Sequence, residues 1–330
     1  MFKIDSEVRQ EAVNFSTLMN VLHITEHRLE PQFDNFSKTT DITVPLIDEI
    51  NSYADYFNVN VDSLQKEYNF VLKEFLKLKE SDEIIKRGSY MYPELLERTS
   101  EAPRFLYVRG DTSLLNDQNT IAIIGSRNAS ENAKRNTEII TRVLSRNGLT
   151  IVSGLAKGID VTAHKTALDN KYRTIAVIGT HLNQYYPSEN KNVQLEIEKK
   201  DLVISQFSPS TKTERYFFPL RNGVMSGMSL ATVIMEAGEN SGSLKQADYA
   251  LKQDRQVFIP QNIVDQNKYL WVSKYINRGA EVIKTPIDTI HHLSNNIILK
   301  EKSNNYKVYS ATEKEEIKAM FCGENICLEI

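Results

Sequence analysis

Seven short apolar segments alternate with helical patterns from about residue 120 onward, and this alternation limits the possible folds more than any other feature. The segments occupy 120–126, 149–156, 174–180, 201–207, 230–237, 256–260 and 280–284. Helical periodicity fills most of the intervals, as in 130–148, where Gly148 suits a helix C-terminus. Because strands that are apolar throughout are buried on both faces, the pattern predicts an α/β fold with helices on both sides of a parallel sheet.

The first 80 residues show helical spacing and few strand signals. Apolar residues recur there at intervals of three or four, as at Leu64, Tyr68, Val71, Leu72, Phe75 and Leu76. We therefore predict a small helical N-terminal domain over 1–80, an α/β domain over 81–294 and a short polar C-terminal tail over 295–330.

Composition excludes several classes of protein. The net charge of −3 gives no global basic field, so any nucleic-acid binding must come from a local patch. The two cysteines, Cys322 and Cys327, lack the second pair that a zinc site of this kind needs. The N-terminus carries acids where a signal peptide needs an apolar core, and no apolar run reaches membrane-spanning length. We expect a soluble cytoplasmic protein with no membrane contact, no metal and no cofactor.

Glycine-rich polar turns follow four of the predicted strands, at 125–128, 153–160, 179–187 and 236–243. Because the carboxyl ends of parallel strands meet at one edge of a sheet, these turns should converge there. Free backbone N–H groups in such turns favour anions, and the candidate residues are Gly154, Gly158, Gly242 and Ser243. The complete dinucleotide and P-loop glycine patterns are missing, which disfavours both of those nucleotide-binding sites.

The same edge offers little for hydrolysis. His164 follows Asp160 by one helical turn, but no G-x-S-x-G turn is present, and a histidine near a helix start is more often structural. Glu236 is the only well-placed acid, and alone it forms no acid–base pair. We predict no catalytic residue.

The stretch 213–227, TERYFFPLRNGVMSG, places three aromatic residues, Tyr216, Phe217 and Phe218, between arginines. Arginines neutralise phosphates, and aromatic faces stack on unpaired bases whatever the sequence. The stretch therefore suits single-stranded nucleic acid. The alternative is that Phe217 and Phe218 fill the core while the arginines form surface salt bridges. Residue types alone support the two interpretations equally.

A family resemblance rests on six motifs in order: GSRNAS, IVSGLAKGIDVTAH, AVIGTHLNQYYPSEN, FFPLRNGVMSGMS, IMEAGENSGSLKQADYAL and QVFIP. Over about 85–290 the chain resembles the DprA/Smf family of DNA-processing proteins. The resemblance implies an extended Rossmann-like, doubly wound and mainly parallel sheet. It also implies sequence-independent binding of single-stranded DNA, loading of a RecA-type recombinase in transformation and recombination, and assembly as a homodimer.

Carried over by motif, the resemblance assigns a strand-binding pocket. It uses Arg127, with Gly125 and Ser126 of the same GSR motif, and Arg215 and Phe218. Further motif residues that shape or line the pocket are Lys157, Arg221 and Asn222. The family's second arginine is replaced by Gly223, which removes one positive charge, and Gln261 stands where the family has glycine.

Two further expectations concern assembly and a rival activity. The segment 267–279 reads as a helix whose apolar residues Leu270, Trp271 and Ile276 form a candidate dimer interface, although the same face could cover the sheet edge. Related superfamily branches bind or cleave nucleotides in this crevice. There, Glu236 would position a nucleotide for N-glycosidic cleavage, or a bound nucleotide would signal to the helical domain.

Overall fold

A computed structural model of the protein describes residues 3–239 and 241–295. Cys322, Cys327 and the tail predicted from 295 lie outside these residues, apart from Asn295 itself. Within the described part the strands are β1 Glu83–Lys86, β2 Phe105–Gly110, β3 Thr120–Gly125, β4 Thr150–Ser153, β5 Thr174–Val177, β6 Leu202–Ser205, β7 Ala231–Glu236, β8 Gln256–Pro260 and β9 Glu281–Ile283.

The helices of the N-terminal part are α1 Glu7–Leu22, α2 Glu26–Phe36, α3 Ile50–Phe57 and α4 Val61–Phe75. Those that follow are α5 Glu94–Glu97, α6 Glu131–Arg146, α7 Ile159–Asp169, α8 Lys191–Lys200, α9 Phe217–Gly227, α10 Gly242–Lys252, α11 Gln261–Val264, α12 Leu270–Ile276 and α13 Pro286–Asn295. Short 3₁₀ turns occur at Leu46–Glu49, Thr112–Asn116 and Ser188–Asn190.

The nine described strands form one sheet in the order β1-β2-β6-β5-β4-β3-β7-β8-β9. The seven strands from β3 to β9 pair in parallel, which confirms the predicted α/β class and all seven predicted strands. The chain winds outward from β3 in one direction and from β7 in the other. The strand order therefore reverses between β3 and β7, the point where ligands bind in open α/β sheets.

The edge strand β1 and its neighbour β2 were not predicted. They pair antiparallel with each other, and β2 pairs antiparallel with β6, as in the register Val108 to Ile204. In β1 only Ile84 and Ile85 are buried, between two partly exposed residues, so it lacks the continuous apolar run that marks the parallel strands.

Helices cover both faces of the sheet because successive strand residues point to opposite sides. On β3, Ile123 packs with α6, α7 and α13, whereas Ile124 belongs to a cluster that includes residues of α9, α10 and α12. The doubly wound arrangement is thus confirmed. No helix in the described residues is both long enough and apolar enough to cross a bilayer.

The N-terminal helices pack directly on the sheet. A single hydrophobic cluster contains Phe15 of α1, Phe75 of α4 and the β2 residues Phe105 and Tyr107. The buried guanidinium of Arg104 adds a polar link to α1, donating from Nη2 to Glu11 Oε1 at 2.7 Å. The chain therefore changes from helices to the sheet near residue 80, but one hydrophobic core contains residues from both sides of this predicted boundary.

Candidate nucleic-acid interface

The turns that follow β3 and β4 are pressed together at the carboxyl edge of the sheet. Gly158 has a positive φ of 74°, and a Cβ on it would lie 2.2 Å from the carbonyl oxygen of Ser126. Ile159 N donates to this same oxygen at 3.3 Å, at the first residue of α7. Only glycine combines this backbone conformation with so close an approach. The turns that carry Ser126 and Gly158 therefore meet at the carboxyl edge of the sheet, as expected.

Glu236, at the end of β7, holds the β3 turn from the other side. Its carbonyl oxygen accepts from Ser126 N at 2.6 Å, and its carboxylate accepts from Ser130 N at 3.2 Å and from Ser130 Oγ at 2.7 Å. Ser130 is in turn the N-cap of α6. A Cβ on Gly125 would meet Ile159 at 2.4 Å, so this turn has no spare room. The Glu236 carboxylate is thus engaged in fixing the entry to α6.

Arg221 is buried, with 5% of its surface exposed. Its Nη1 donates to the carbonyl oxygens of Gly154 and Val177, both at 2.5 Å, and its Nε donates to Asn222 Oδ1 at 3.0 Å. A Cβ on Gly154 would lie 2.2 Å from the guanidinium. Burial lowers the pKa of Arg221 to about 10, so it remains charged at neutral pH. One cation therefore ties together the ends of β4 and β5.

Two other buried titratable groups lie under the same turns. Burial raises the pKa of the Asp160 carboxyl, although the nearby Arg221 charge opposes this, and Ala156 N donates to Asp160 Oδ2 at 3.4 Å. His164 is fully buried, its Nδ1 is 2.7 Å from Thr174 Oγ1, and burial lowers its pKa to about 3. A neutral, enclosed imidazole fits the structural interpretation of His164.

The consecutive aromatic residues Phe217 and Phe218 occupy different environments. Phe217 is buried and stacks on Phe207, with ring centroids 4.1 Å apart and planes at 3°. Phe218 is only partly buried, and its ring lies against Gly179, where a Cβ would come within 2.6 Å. The core alternative therefore applies to Phe217, while Phe218 presents a ring at the surface.

The exposed Arg127 lies beside this ring. Its guanidinium carbon is 5.8 Å from the Phe218 centroid. Neither Arg127 nor the exposed Arg215 makes a side-chain hydrogen bond or ion pair with any residue that the structure describes. The salt-bridge alternative thus describes neither of them. Arg127 therefore lies next to an accessible aromatic face without an ion-pair partner among the described residues.

Lys157 is also exposed, but it has a partner. Its ammonium lies 2.7 Å from Glu189 Oε2, and about half of each side chain is exposed. Exposed pairs of this kind contribute only about 0–1 kcal/mol, so a phosphate could replace the carboxylate at little cost.

Gly242 and Ser243 lie at the N-terminus of α10. The N-cap Ser241 accepts from Ser243 N at 3.3 Å, and Asn222 Nδ2 donates to Gly242 O at 3.2 Å. A Cβ on Gly242 would meet no atom within 4 Å, which leaves this helix start open to solvent. Asn222 therefore couples α9 to α10.

Tyr186 was not singled out by the sequence. It is 48% exposed, and its ring centroid lies 5.2 Å from that of Phe218 with the planes tilted by 47°. The motif AVIGTHLNQYYPSEN contained it, but a tyrosine in a polar turn gives no periodic signal that would mark it as a site residue.

The three candidate dimer residues differ in their exposure to solvent. Leu270 is 82% exposed, whereas Trp271 is buried and donates from Nε1 to Ala237 O at 2.8 Å. Ile276 is partly buried. Trp271 therefore belongs to the core of its own chain, and of the three only Leu270 offers a largely free side chain.

Known proteins are similar to this chain over a range that includes the carboxyl edge of the sheet. Residues 83–294 match the family described as DNA recombination-mediator protein A. The DNA processing protein DprA of Bacillus subtilis (strain 168) is 35% identical over 207 residues, which are 62% of this chain and 69% of that protein. The DprA of Streptococcus pneumoniae (strain ATCC BAA-255 / R6) is 40% identical over 175 residues, 53% of this chain and 61% of that one.

Two solved structures have the same fold. That of DNA processing protein A from Streptococcus pneumoniae superposes with a TM-score of 0.65 at 28% identity, covering 86% of this chain and 95% of that one. That of DNA processing protein A from Helicobacter pylori superposes with a TM-score of 0.58, also at 28% identity, covering 65% of this chain and 96% of that one. The match over 83–294 includes every turn of the carboxyl edge, and the chain belongs to the DNA recombination-mediator protein A family.

Proposed function

We propose that this protein binds single-stranded DNA at the carboxyl edge of its sheet and acts as a mediator of recombination. One observation carries the proposal: Arg127, which forms no side-chain hydrogen bond or ion pair with the described residues, lies over the accessible ring of Phe218. A guanidinium beside an aromatic face offers one group for a phosphate and one for a base. The Helicobacter pylori relative was described with a single-stranded DNA binding mode, which supports the same function here.

The proposed contacts divide between direct and supporting residues. Arg127 and Arg215 neutralise phosphates, and Phe218 stacks on a base. Lys157 joins them after exchanging Glu189 for a phosphate. The start of α10 at Gly242 and Ser243 is a further phosphate site, because it is open at Gly242 and a helix N-terminus favours anions.

Several residues of the pocket act through others. Arg221 and Asn222 are positioning residues, since the guanidinium bonds to Gly154 and Val177 and the amide bonds to α10. Gly125 lies close to Ile159, and Gly158 lies close to the carbonyl groups of Ser126 and Arg127. These contacts fix the turn that carries Arg127. Replacing a positioning residue should alter binding through the shape of the turns.

Single strands should be strongly preferred to duplex. Stacking on Phe218 needs an exposed base face, and duplex bases hide their faces against one another. Every base has such a face, so the sequence of the strand should matter little.

We infer that the protein is not an enzyme. The Glu236 carboxylate is engaged by Ser130, and His164 is buried and neutral, so neither forms an acid–base pair with the other described residues of the crevice. Among the described residues no group of His, Cys, Asp and Glu side chains is arranged to hold a metal ion. Incubation with nucleoside monophosphates should release no base, and release would favour the nucleotide hydrolase instead.

The biological setting follows from the family. We propose that the protein works in the cytoplasm as a homodimer and delivers single strands to a RecA-type recombinase. The exposed Leu270 supports a contact through α12. Light scattering at tens of micromolar should give a dimeric mass, and a monomeric mass would contradict this part of the proposal.

The decisive experiment is a titration of fluorescent oligonucleotides of equal length, single-stranded and duplex, at several salt concentrations. Single strands should bind more tightly by at least about tenfold and within about tenfold of one another across sequences. Equal or tighter binding of duplex would refute the proposed pocket.

A further inference from the structure

Tyr186 presents an aromatic ring that the contacts assigned above do not use. It is 48% exposed and forms no hydrogen bond through its hydroxyl with the residues that the structure describes. About half of this side chain is therefore accessible to a ligand, and tyrosine combines an apolar ring with a polar end. Its position on the β5–α8 loop brings it to the carboxyl edge of the sheet, beside Phe218.

The geometry of the two rings favours two separate stacking surfaces. Their centroids are 5.2 Å apart and their planes are inclined by 47°. One flat base therefore cannot lie parallel to both rings at once. Successive bases of a single strand can be splayed apart by rotation of the backbone, so each ring can receive its own base.

Basic side chains flank Tyr186 along the same path. Arg127 lies over Phe218 on one side, and Lys157 reaches the Tyr186 loop through its ion pair with Glu189 at 2.7 Å. The Thr213 hydroxyl donates to Gln184 Oε1 at 2.5 Å, which holds the segment that carries Arg215 against this loop. A strand that crosses from Phe218 to Tyr186 thus meets cations on either side.

We propose that Tyr186 forms a second nucleotide-stacking subsite, which receives the base next to the one on Phe218. This inference rests on the proposed function, because a second subsite requires a strand bound at the first. It lengthens the binding surface from one nucleotide to at least two and directs the strand over the β5–α8 loop.

A supporting role for Tyr186 is the main competing explanation. If the ring only holds Phe218 in place, its removal should weaken binding solely through Phe218. If it stacks on its own base, its removal should weaken binding whether or not Phe218 is present. A double-mutant cycle separates the two cases.

The experiment measures the Kd of a labelled oligothymidine for the full chain and for the variants Phe218→Ala, Tyr186→Ala, Tyr186→Phe and the double Phe218→Ala/Tyr186→Ala. The control is Tyr90→Ala, because Tyr90 is 89% exposed and shares a pocket with residues 115–118, which precede β3 at the opposite edge of the sheet. Thermal melting of each variant shows whether it is folded.

We expect Tyr186→Ala to weaken binding by at least about fivefold, the lower end of one base stack, in both the normal and the Phe218→Ala backgrounds. Tyr186→Phe keeps the aromatic ring and should bind more tightly than Tyr186→Ala, and Tyr90→Ala should bind as the unaltered protein does. If Tyr186→Ala causes no further loss in the Phe218→Ala background, the second subsite is refuted while the first remains. If the unaltered protein fails to bind the strand, the proposed function and the subsite are refuted together.

Discussion

The guanidinium carbon of Arg127 lies 5.8 Å from the centroid of the Phe218 ring, although the two residues are far apart in the chain. Arg127 follows β3, and Phe218 belongs to the first turn of α9, just before β7. The two meet because the start of α9 lies at the carboxyl edge of the sheet, where Phe218 contacts Gly179 after β5 and Arg221 of the same helix bonds to Gly154 and Val177. A cation held near an aromatic face is already in place for a ligand that brings both a phosphate and a base.

Removal of either exposed arginine should weaken strand binding and reduce its dependence on salt. For Arg127→Ala or Arg215→Ala, the slope of log affinity against log salt should flatten by about 0.7 for each phosphate that is no longer neutralised. Titrations at four or more salt concentrations give the slope. Arg28→Ala is the matched control, because Arg28 is exposed on α2, far from the site in the chain. An unchanged slope in both site variants would mean that neither arginine binds a phosphate.

Phe217→Ala should mainly lower the stability of the fold, whereas Phe218→Ala should mainly weaken DNA binding. Phe218→Ala should reduce the binding free energy by about 1–3 kcal/mol, the range of one base stack, with little change in salt slope or melting temperature. Phe217→Ala removes a buried ring and should reduce the free energy of unfolding by about 3–5 kcal/mol. Binding and melting are measured on the same samples. A Phe218→Ala protein that melts early and binds normally, once corrected for the folded fraction, would remove Phe218 from the pocket.

Gly179→Ala should weaken binding by displacing the Phe218 ring. The added Cβ would lie 2.6 Å from that ring, and the ring can move outward because it is the end of a partly exposed side chain. We expect a loss of binding smaller than that of Phe218→Ala, on the order of 1 kcal/mol, with the fold retained. In a Phe218→Ala background the same substitution should have almost no effect, and an undiminished effect there would show that it acts elsewhere.

Glu189→Gln should strengthen binding. The change frees Lys157 from its ion pair and removes a negative charge near the proposed phosphate contacts. The Kd should fall by about two- to fivefold, and the salt slope should steepen by up to about 0.7. Glu196→Gln is the control, because Glu196 forms a similarly exposed pair with Lys200 near the end of α8. Equal effects of the two substitutions would indicate a general charge effect without a role for Lys157.

His164 should make the fold sensitive to acid. Burial lowers its pKa from 6.5 to about 3, so the unfolded chain binds this proton more readily than the folded one. The resulting stability is present above pH 6.5 and is lost as the pH falls from 6.5 towards 3. Between pH 7 and pH 5 the loss should be about 2 kcal/mol. Urea unfolding at the two pH values should show a smaller difference for His164→Gln, and an equal difference would assign the sensitivity to other groups.

The parallel sheet was predictable because its strands are continuous apolar runs, whose burial on both faces leaves a strong signal. Arg127, Arg215 and Phe218 were selected by residue type and by family motif, and the structure leaves all three accessible. The burial of Arg221 was not predictable, because it depends on carbonyl oxygens at the ends of β4 and β5. Tyr186 was missed for a similar reason: its neighbour Phe218 lies 32 positions further along the chain.

The hydrophobic cluster shared by α1, α4 and β2 has a consequence for how the chain can be divided. The family match begins at residue 83, so similarity alone would suggest a fragment that starts there. Such a fragment would leave Phe105 and Tyr107, each only 3% exposed in the whole chain, facing water. Exposed apolar surface of this kind promotes aggregation. A protein expressed for DNA-binding experiments should therefore retain the first eighty residues, even though no proposed contact with DNA lies among them.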